Sequence, residues 1–291
     1  MQRVNNSRIN KVRNKIKPSS KDYYKSVKHN TIFSILQLLF IMCFIFSLTQ
    51  ILKWCKLNEH TEEEKRLANS AIVYETGNKN ANGKYSSIDF KKLKEKNDDT
   101  VAWIRVNGTN IEYPIVKTNN NDYYLYHSFD KTKSNAGWVF MDYRNKLDGT
   151  DKNIIIYGHN RKDGSIFGSL KNILKETWYD EKDNLEIEFW TENGKEKYQV
   201  FSIYEIENED YYLSTTFDNY DEYLNKIKNR SIKDFGINLS NESNILTLST
   251  CSSSNKRRIV LHAVNNRWII HYKKILVGRV KHQLNIFIIW M

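Results

Sequence analysis

The sequence predicts a mainly β fold, a closed barrel or sandwich of eight strands with a few peripheral helices, preceded by one transmembrane helix. Three observations support this. Eight short apolar segments have strand character, two pairs of them flank Asn-Gly turns, and the 21 residues from 32 to 52 carry no charge. The 291 residues allow one large core, and the 13% aromatic content is atypical of a disordered chain.

The uncharged segment, residues 32–52, is predicted to be an uncleaved transmembrane signal anchor. As a helix it would be about 30 Å long, which matches the hydrocarbon core of a bilayer. The alternatives are a buried core helix and a cleaved signal peptide. A core helix rarely lacks every charge over such a length, and the stretch Ser47-Leu48-Thr49 is only a weak cleavage site.

The charges on either side of this segment predict its orientation. Residues 1–31 form a basic N-terminus, in which the first 30 residues hold nine Lys or Arg and one Asp. The other flank is acidic, with Glu at positions 59 and 62–64. The positive-inside rule then places the N-terminus in the cytoplasm and residues 56–291 outside. We therefore expect a single-pass protein of the cell membrane that contacts the lipid bilayer through residues 32–52.

The net charge does not indicate a nucleic-acid-binding protein. The formal charge is +11, but residues 1–30 contribute +8 and residues 267–291 contribute +5, which leaves −2 for residues 53–266. A surface that follows phosphates would need its basic residues on the folded body. No nucleic-acid partner is therefore expected.

The remaining chain is read as a linker region followed by the β body. Residues 53–86 are assigned to a juxtamembrane helix and a linker, residues 87–266 to one β-rich domain, and residues 267–291 to a C-terminal extension without an assigned role. Ser87 is expected to cap a short helix carrying Ile88 and Leu93. The predicted strands cover residues 101–106, 111–116, 137–143, 153–157, 185–191, 196–206, 244–250 and 257–264.

Two further helices are predicted within the body. Asp218 is a candidate N-cap for a helix in which Tyr220, Tyr223, Leu224 and Ile227 form one apolar face. Residues 164–175 indicate a second, shorter helix. Neither helix carries a residue that suggests chemistry.

Three motifs at strand ends carry the chemistry. Thr247 to Cys251, TLSTC, ends a strand on the only cysteine of the exported body, because Cys43 and Cys55 lie in or beside the anchor. Tyr157 to Asn160, YGHN, places His159 just after a strand. Arg257 and Arg258 open the strand that follows Cys251. A thiolate attacks a carbonyl, a histidine accepts and returns the proton, and a guanidinium stabilises an oxyanion.

Each of these residues also has a structural interpretation. A single cysteine at a strand end is usually part of the core, and His262 and His127 compete with His159 as the base. Alternation along a strand directs Arg257 and Arg258 to opposite faces, so only one of the two can face the site. No HExxH, CxxC or carboxylate cluster at ligand spacing occurs, so neither a metal nor an organic cofactor is expected.

In combination, the three motifs resemble the sortase family of cysteine transpeptidases. TLSTC matches the sortase signature Thr-Leu-x-Thr-Cys, YGHN the histidine segment, and RRIV the arginine strand. The resemblance covers about residues 70–264 and is nearest to class B, since the stretches DTVAWIRVNGTNIEYPIV, GWVFMDYRN and YGHNRKDGSIFGSL resemble that class. It implies an eight-stranded sortase barrel and a Gram-positive enzyme that anchors surface proteins to peptidoglycan.

The resemblance also implies roles for individual residues. Cys251 would be the nucleophile that forms an acyl-thioester, His159 the general acid/base, and Arg258 the group that stabilises the oxyanion. Ser249 and Thr250 would line the groove for the sorting signal. The substrates would be surface proteins with an Asn-Pro-x-Thr-Asn-like signal, and the acceptor a peptidoglycan crossbridge or stem-peptide amine.

Two functional alternatives remain open at this point. The same residues would serve a thiol peptidase that hydrolyses the acyl-enzyme, and a membrane-tethered cell-wall binding module could carry Cys251 as a structural residue.

One departure from the family also stands out, since class B chains usually end soon after the arginine strand, whereas this chain continues through residues 267–291.

Overall fold

A computed structural model describes residues 20–74, 85–207, 209–251 and 257–265 of the chain. The predicted linker loop and the C-terminal extension, residues 267–291, lie largely or wholly outside these residues. The chain divides into two compact units, Met1–Lys56 and Leu57–Met291.

The N-terminal part of the described chain is one long helix, α1, Ser20–Asn69. It contains a window long and apolar enough to cross a membrane, and none of that window is buried within the protein. By length and composition this agrees with the predicted anchor at residues 32–52. The end of α1 belongs to the second unit, where Ala68 is completely buried in the main core.

The second unit is a closed barrel in the order β10-β8-β7-β3-β4-β5-β6-β9, which confirms the predicted eight-stranded fold. Most neighbours are antiparallel, whereas β4–β5 and β6–β9 are parallel. The barrel strands are β3 Thr100–Val106, β4 Glu112–Val116, β5 Phe140–Met141, β6 Asn153–His159, β7 Glu186–Thr191, β8 Gly194–Glu207, β9 Ile245–Cys251 and β10 Arg257–Asn265. Two short strands, β1 Ile72–Tyr74 and β2 Tyr85–Ile88, form a separate antiparallel pair.

In the described residues, three short α-helices lie around the barrel. They are α2 Phe90–Lys96, α3 Glu176–Tyr179 and α4 Tyr220–Asn229. The apolar face predicted for α4 is correct, because Tyr223, Leu224 and Ile227 are buried. They pack in a second core cluster with residues of β8 and β10.

Both predicted helix caps are wrong by one or two residues. The cap of α4 is Asn219 and not Asp218, since the Asn219 side chain accepts a hydrogen bond from the Glu222 N–H at 3.1 Å. The cap of α2 is Asp89, which accepts from the Lys92 N–H at 3.0 Å. Ser87 lies in β2, where it pairs with Val73.

Two predicted elements are shorter or different in the structure. The strand predicted at 137–143 reduces to β5, because Gly137 has φ +60° and turns the chain before the strand begins. The helix predicted at 164–175 is replaced by turns and a 3-10 helix, Leu170–Leu174. Gly164 at φ +82° and Ile166 at φ +53° are in the left-handed region, which an α-helix does not tolerate.

Candidate active site

The ends of β6, β9 and β10 bring the three predicted motifs together. In the parallel pair β6–β9, His159 lies opposite Cys251. In the antiparallel pair β10–β9, the pairing ends at Val260 opposite Ser249, and Arg258 and Cys251 each lie two residues beyond that pair. The strand positions of His159, Cys251 and Arg258 are therefore at the same end of three adjacent strands. The side chain of Cys251 and the loop 252–256 lie outside the described part of the chain.

His159 is held by the backbone of a neighbouring loop. Its Nε2 lies 2.9 Å from the carbonyl oxygen of Leu125, at the end of the 3-10 helix Tyr123–Leu125. A carbonyl oxygen can only accept, so Nε2 must carry the proton. Nδ1 of the neutral ring is then the nitrogen that can accept a proton, which is what a general base needs.

A glycine keeps space for the imidazole ring. A Cβ atom on Gly137 would lie 2.8 Å from Cδ2 of His159 and 2.7 Å from the carbonyl oxygen of Tyr124. Neither contact is tolerated without movement of the ring or of the loop. Gly137 therefore belongs to the site although its residue type offers no chemistry.

The two adjacent arginines differ as strand alternation predicts. Arg257 has a side chain 65% exposed and pairs with Glu207 and Glu205 on β8. Arg258 is half-buried, and its Nη1 makes a long contact of 3.5 Å with the hydroxyl of Tyr212. Arg258 therefore lies on the face of β10 that contacts Tyr212, and Arg257 lies on the opposite face.

Ser249 and Thr250 are buried beneath the strand end. The hydroxyl of Ser249 lies 2.9 Å from that of Tyr212, and the hydroxyl of Thr250 accepts from the Ile259 N–H at 2.9 Å. Both residues are at most 1% exposed. Their predicted contact with a substrate stays a prediction, while their contacts in the structure tie β9 to β10 and to the Tyr212 segment.

The two other candidate bases, His262 and His127, have contacts typical of a structural role. His262 is fully buried, with Nδ1 2.8 Å from the Thr247 hydroxyl and Nε2 2.8 Å from the Tyr204 hydroxyl. Burial lowers the pKa of His262 to about 3, which keeps it neutral. His127 stacks on Tyr123 with ring centroids 3.9 Å apart, and its Nδ1 bonds to the Tyr123 carbonyl oxygen.

A buried carboxylate next to the site was missed by the sequence analysis. Asp142 has no exposed surface and accepts hydrogen bonds from the hydroxyl of Tyr157 at 2.8 Å and from Arg144 at 2.7 Å. These hydrogen bonds, with that to the Arg144 side chain foremost, hold the pKa of Asp142 below its usual range although burial opposes them. Arg144 also donates to the carbonyl oxygen of Leu213, beside Tyr212. The spacing Asp-x-Arg alone gave no signal for this bridge.

Comparisons with known proteins agree with this fold. A family model described as the sortase domain matches residues 104–266. Sortase B of Listeria monocytogenes is 35% identical over 225 residues, which cover 75% of this chain and 89% of the relative. The crystal structure of sortase B from Bacillus anthracis in complex with AAEK1 is similar with a TM-score of 0.62 and 31% identity, covering 74% of this chain and 98% of that one. Sortase B of Clostridium perfringens has a TM-score of 0.56 and 36% identity, covering 60% and 98%.

The closed barrel, the convergence of its three strand ends and these similarities define a cysteine transpeptidase of the cell surface. The chain belongs to the sortase family. Within that family it is closest to class B. Surface proteins as substrates and cell-wall amines as acceptors follow in general from the family, and the apolar part of α1 is compatible with a membrane anchor.

We predict that Gly137→Ala reduces transpeptidation at least tenfold. The added methyl group displaces the His159 ring, and the left-handed φ costs about 1–2 kcal/mol of stability in addition. Gly149→Ala is the matched control, because Gly149 also has a positive φ of +87° but no atom lies within 4 Å of its would-be Cβ. It should lose similar stability and keep its activity per folded molecule. Initial rates and thermal unfolding of both variants test this, and equal rates would contradict it.

We predict that His262 makes the protein acid-sensitive. Its pKa is about 3 in the folded protein, below the ordinary value of 6.5, so below pH 6.5 the unfolded chain binds a proton that the folded chain does not. The free energy of unfolding should therefore fall by up to about 1.4 kcal/mol per pH unit between pH 6 and pH 4 from this group alone.

The measurement is chemical unfolding across that pH range for the native chain and for His262→Gln. The variant should be less stable at pH 7, because it lacks the buried imidazole, but its stability should depend less steeply on pH. Parallel slopes for the two proteins would show that His262 does not titrate on unfolding as expected.

Proposed function

We propose that Cys251, His159 and Arg258 carry out the transpeptidation. The observation that supports this proposal is the pairing of Cys251 with His159 on β6, together with the position of Arg258 two residues beyond the last β10–β9 pair, Val260 and Ser249. Paired positions on adjacent strands direct their side chains to the same face of a sheet. The thiol is therefore expected to share a face with the imidazole and the guanidinium.

His159 acts as the general base and acid in this proposal. Its Nδ1 accepts the thiol proton, and the sulfur attacks the scissile carbonyl carbon to give a tetrahedral intermediate. The carbon–nitrogen bond then breaks, and the leaving amine takes the proton from His159. The acceptor amine attacks the thioester next, His159 removes its proton, and a new amide forms as the thiol is restored. The Leu125 carbonyl supports this role because it fixes the tautomer.

Arg258 stabilises the negative charge that develops on the carbonyl oxygen. A guanidinium is always charged and presents several donors in a plane, so it can bind the oxyanion and a neighbouring substrate carbonyl together. Its contact with the Tyr212 hydroxyl supports the role, because Tyr212 is buried and also bonded to Ser249. Arg257 is paired with Glu207 and Glu205 on the opposite face of β10.

The substrate in this proposal is an exported protein that ends in an Asn-Pro-x-Thr-Asn-like sorting signal. The acyl group passes to a peptidoglycan crossbridge or stem-peptide amine. The support is the likeness to several class B enzymes, which covers most of the length of each relative. Hydrolysis of the same acyl-enzyme by water is the competing outcome, and the acceptor dependence of the products separates the two.

We predict that Cys251→Ala abolishes cleavage and transfer, because the nucleophile is lost, and that His159→Ala is nearly as severe. Arg258→Ala should lower the rate by about two to three orders of magnitude, and Arg258→Lys should recover little. Arg257→Ala is the matched control and should stay within a few-fold of the native rate.

The measurement is the initial rate on a fluorogenic sorting peptide with and without an amine acceptor, with products identified by mass spectrometry. Circular dichroism confirms equal folding of the variants. Activity in Cys251→Ala would overturn the mechanism. An inactive Arg257→Ala beside an active Arg258→Ala would exchange the roles of the two arginines.

We further propose that the N-terminus faces the cytoplasm and that the barrel lies outside the cell. The support is the basic flank of residues 1–31 and the acidic flank after the apolar segment. External protease added to intact protoplasts should then release the barrel and leave a membrane-bound N-terminal fragment. A barrel protected until the membrane is lysed would contradict this orientation.

A further inference from the structure

Three side chains that commonly bind metals meet where α1 contacts the loop following the 3-10 helix at Tyr123–Leu125. His60 and Glu64 are four residues apart on α1, so they lie on the same face of the helix. Asp130 belongs to the loop. The ligating atoms of these three residues all lie within 4.8 Å of one another. The cluster is separate from the candidate active site and from every residue of its proposed chemistry.

The distances are close to those of a metal site. The Nε2 of His60 lies 3.4 Å from Oδ2 of Asp130. Ligand atoms around a tetrahedral zinc ion are also about 3.4 Å apart, since the metal–ligand bonds are about 2.0–2.1 Å long. The ligand atom of Glu64 lies within 4.8 Å of the other two. The side chains of His60 and Asp130 are 39% and 38% exposed, which leaves an entry path for an ion.

The two carboxylates are held in place before any ion arrives. Glu64 is only 6% exposed, and its Oε2 accepts from the Asp130 N–H at 2.9 Å. One oxygen of Asp130, Oδ1, accepts from the N–H and the hydroxyl of Thr132 and from the hydroxyl of Ser128. The other oxygen, Oδ2, faces His60. Such hydrogen bonds to a ligand residue orient it and favour binding.

Among the described residues, no lysine or arginine balances the charge of the two carboxylates at this place. Lys131, the nearest lysine in sequence to Asp130, pairs with Asp98 and Asp99 instead. In the ranges that the structure describes, neither Glu64 nor Asp130 forms an ion pair with a lysine or an arginine. A divalent cation would neutralise both carboxylates at once.

We propose that His60, Glu64 and Asp130 bind a divalent transition-metal ion, with zinc favoured by the donor set. One imidazole nitrogen and two carboxylate oxygens suit zinc, whereas calcium and magnesium prefer oxygen ligands alone. Water completes the coordination. The ion joins α1 to the loop that follows the 3-10 helix Tyr123–Leu125, and the Leu125 carbonyl oxygen at the end of that helix is bonded to His159. Its role is therefore to hold the end of α1 against the segment that orients the catalytic imidazole.

The test measures zinc binding by the full-length chain in detergent micelles. The chain carries Cys43→Ser, Cys55→Ser and Cys251→Ala, so that no thiol competes for the metal, and it is stripped with a chelator and desalted. Calorimetric titration with zinc chloride should show one site per chain. His60→Ala and Asp130→Asn should weaken that site by about tenfold or more, as expected for loss of a ligand. Glu63→Gln is the matched control, since Glu63 is exposed on the same helix, and it should bind as the parent does.

Two measurements guard against a misfolded variant. Thermal unfolding of the metal-free proteins shows whether each variant folds, and zinc should raise the unfolding temperature of the parent and of Glu63→Gln only. The cobalt-loaded parent should show the visible absorption of a tetrahedral nitrogen and oxygen site, a result that needs no variant. Absence of a stoichiometric site in the parent, or equal affinity of the parent, His60→Ala and Asp130→Asn, would overturn the proposal and leave a plain ion pair between His60 and Asp130.

Discussion

The arrangement of the site depends on the parallel pairing of β6 with β9. Both strands end at the same edge of the barrel, so His159 and Cys251 reach that edge side by side. A shift of one residue would turn every side chain of one strand to the opposite face. The register is secured at the other end of the pair, where the buried side chain of Asn153 accepts a hydrogen bond from the Thr247 hydroxyl at 2.6 Å. The same amide donates to the Tyr223 hydroxyl at 3.0 Å, which connects the strand pair to α4.

Thr247 also begins a polar network through the core. Its hydroxyl forms a hydrogen bond with Nδ1 of His262, and Nε2 of the same ring forms one with the Tyr204 hydroxyl. Strands β9, β10 and β8 are therefore joined by side chains as well as by the backbone. A buried network of this kind is stable only if every member finds a partner. Burial keeps the imidazole of His262 neutral, so one ring nitrogen donates a hydrogen bond and the other accepts one. His262 therefore belongs to the architecture of the barrel. The Tyr212 hydroxyl makes a second connection, from Ser249 to Arg258, directly beneath the site.

The sequence was sufficient for most of the barrel strands, the two Asn-Gly hairpins and the three motifs, because each is encoded within a few neighbouring residues. It did not predict β1 and β2, and it made β5 too long. The hairpin turns depend on Gly108 and Gly194, both of which have positive φ values. The misplaced caps have a local cause, since Asp218 and Asn219 are equally good capping residues and only the fold selects between them. The contacts between distant segments could not be predicted in this way. The hydrogen bond between Asp142 and Tyr157, the close approach of Gly137 to His159 and the ion pair of His60 with Asp130 form only after the barrel has closed.

The partner of His159 shows most clearly why some functional features have no sequence signal. A backbone carbonyl orients the ring, and every residue has one, so no residue type at position 125 would reveal it. The choice also has a chemical consequence. The Leu125 carbonyl oxygen accepts from the Nε2–H group, so Nδ1 is the nitrogen left to exchange a proton with the thiol and then with the leaving amine. The fixed tautomer, the space left by Gly137 and the pairing of His159 with Cys251 then serve one requirement, which is to keep one ring nitrogen available for proton transfer beside the strand position of the thiol.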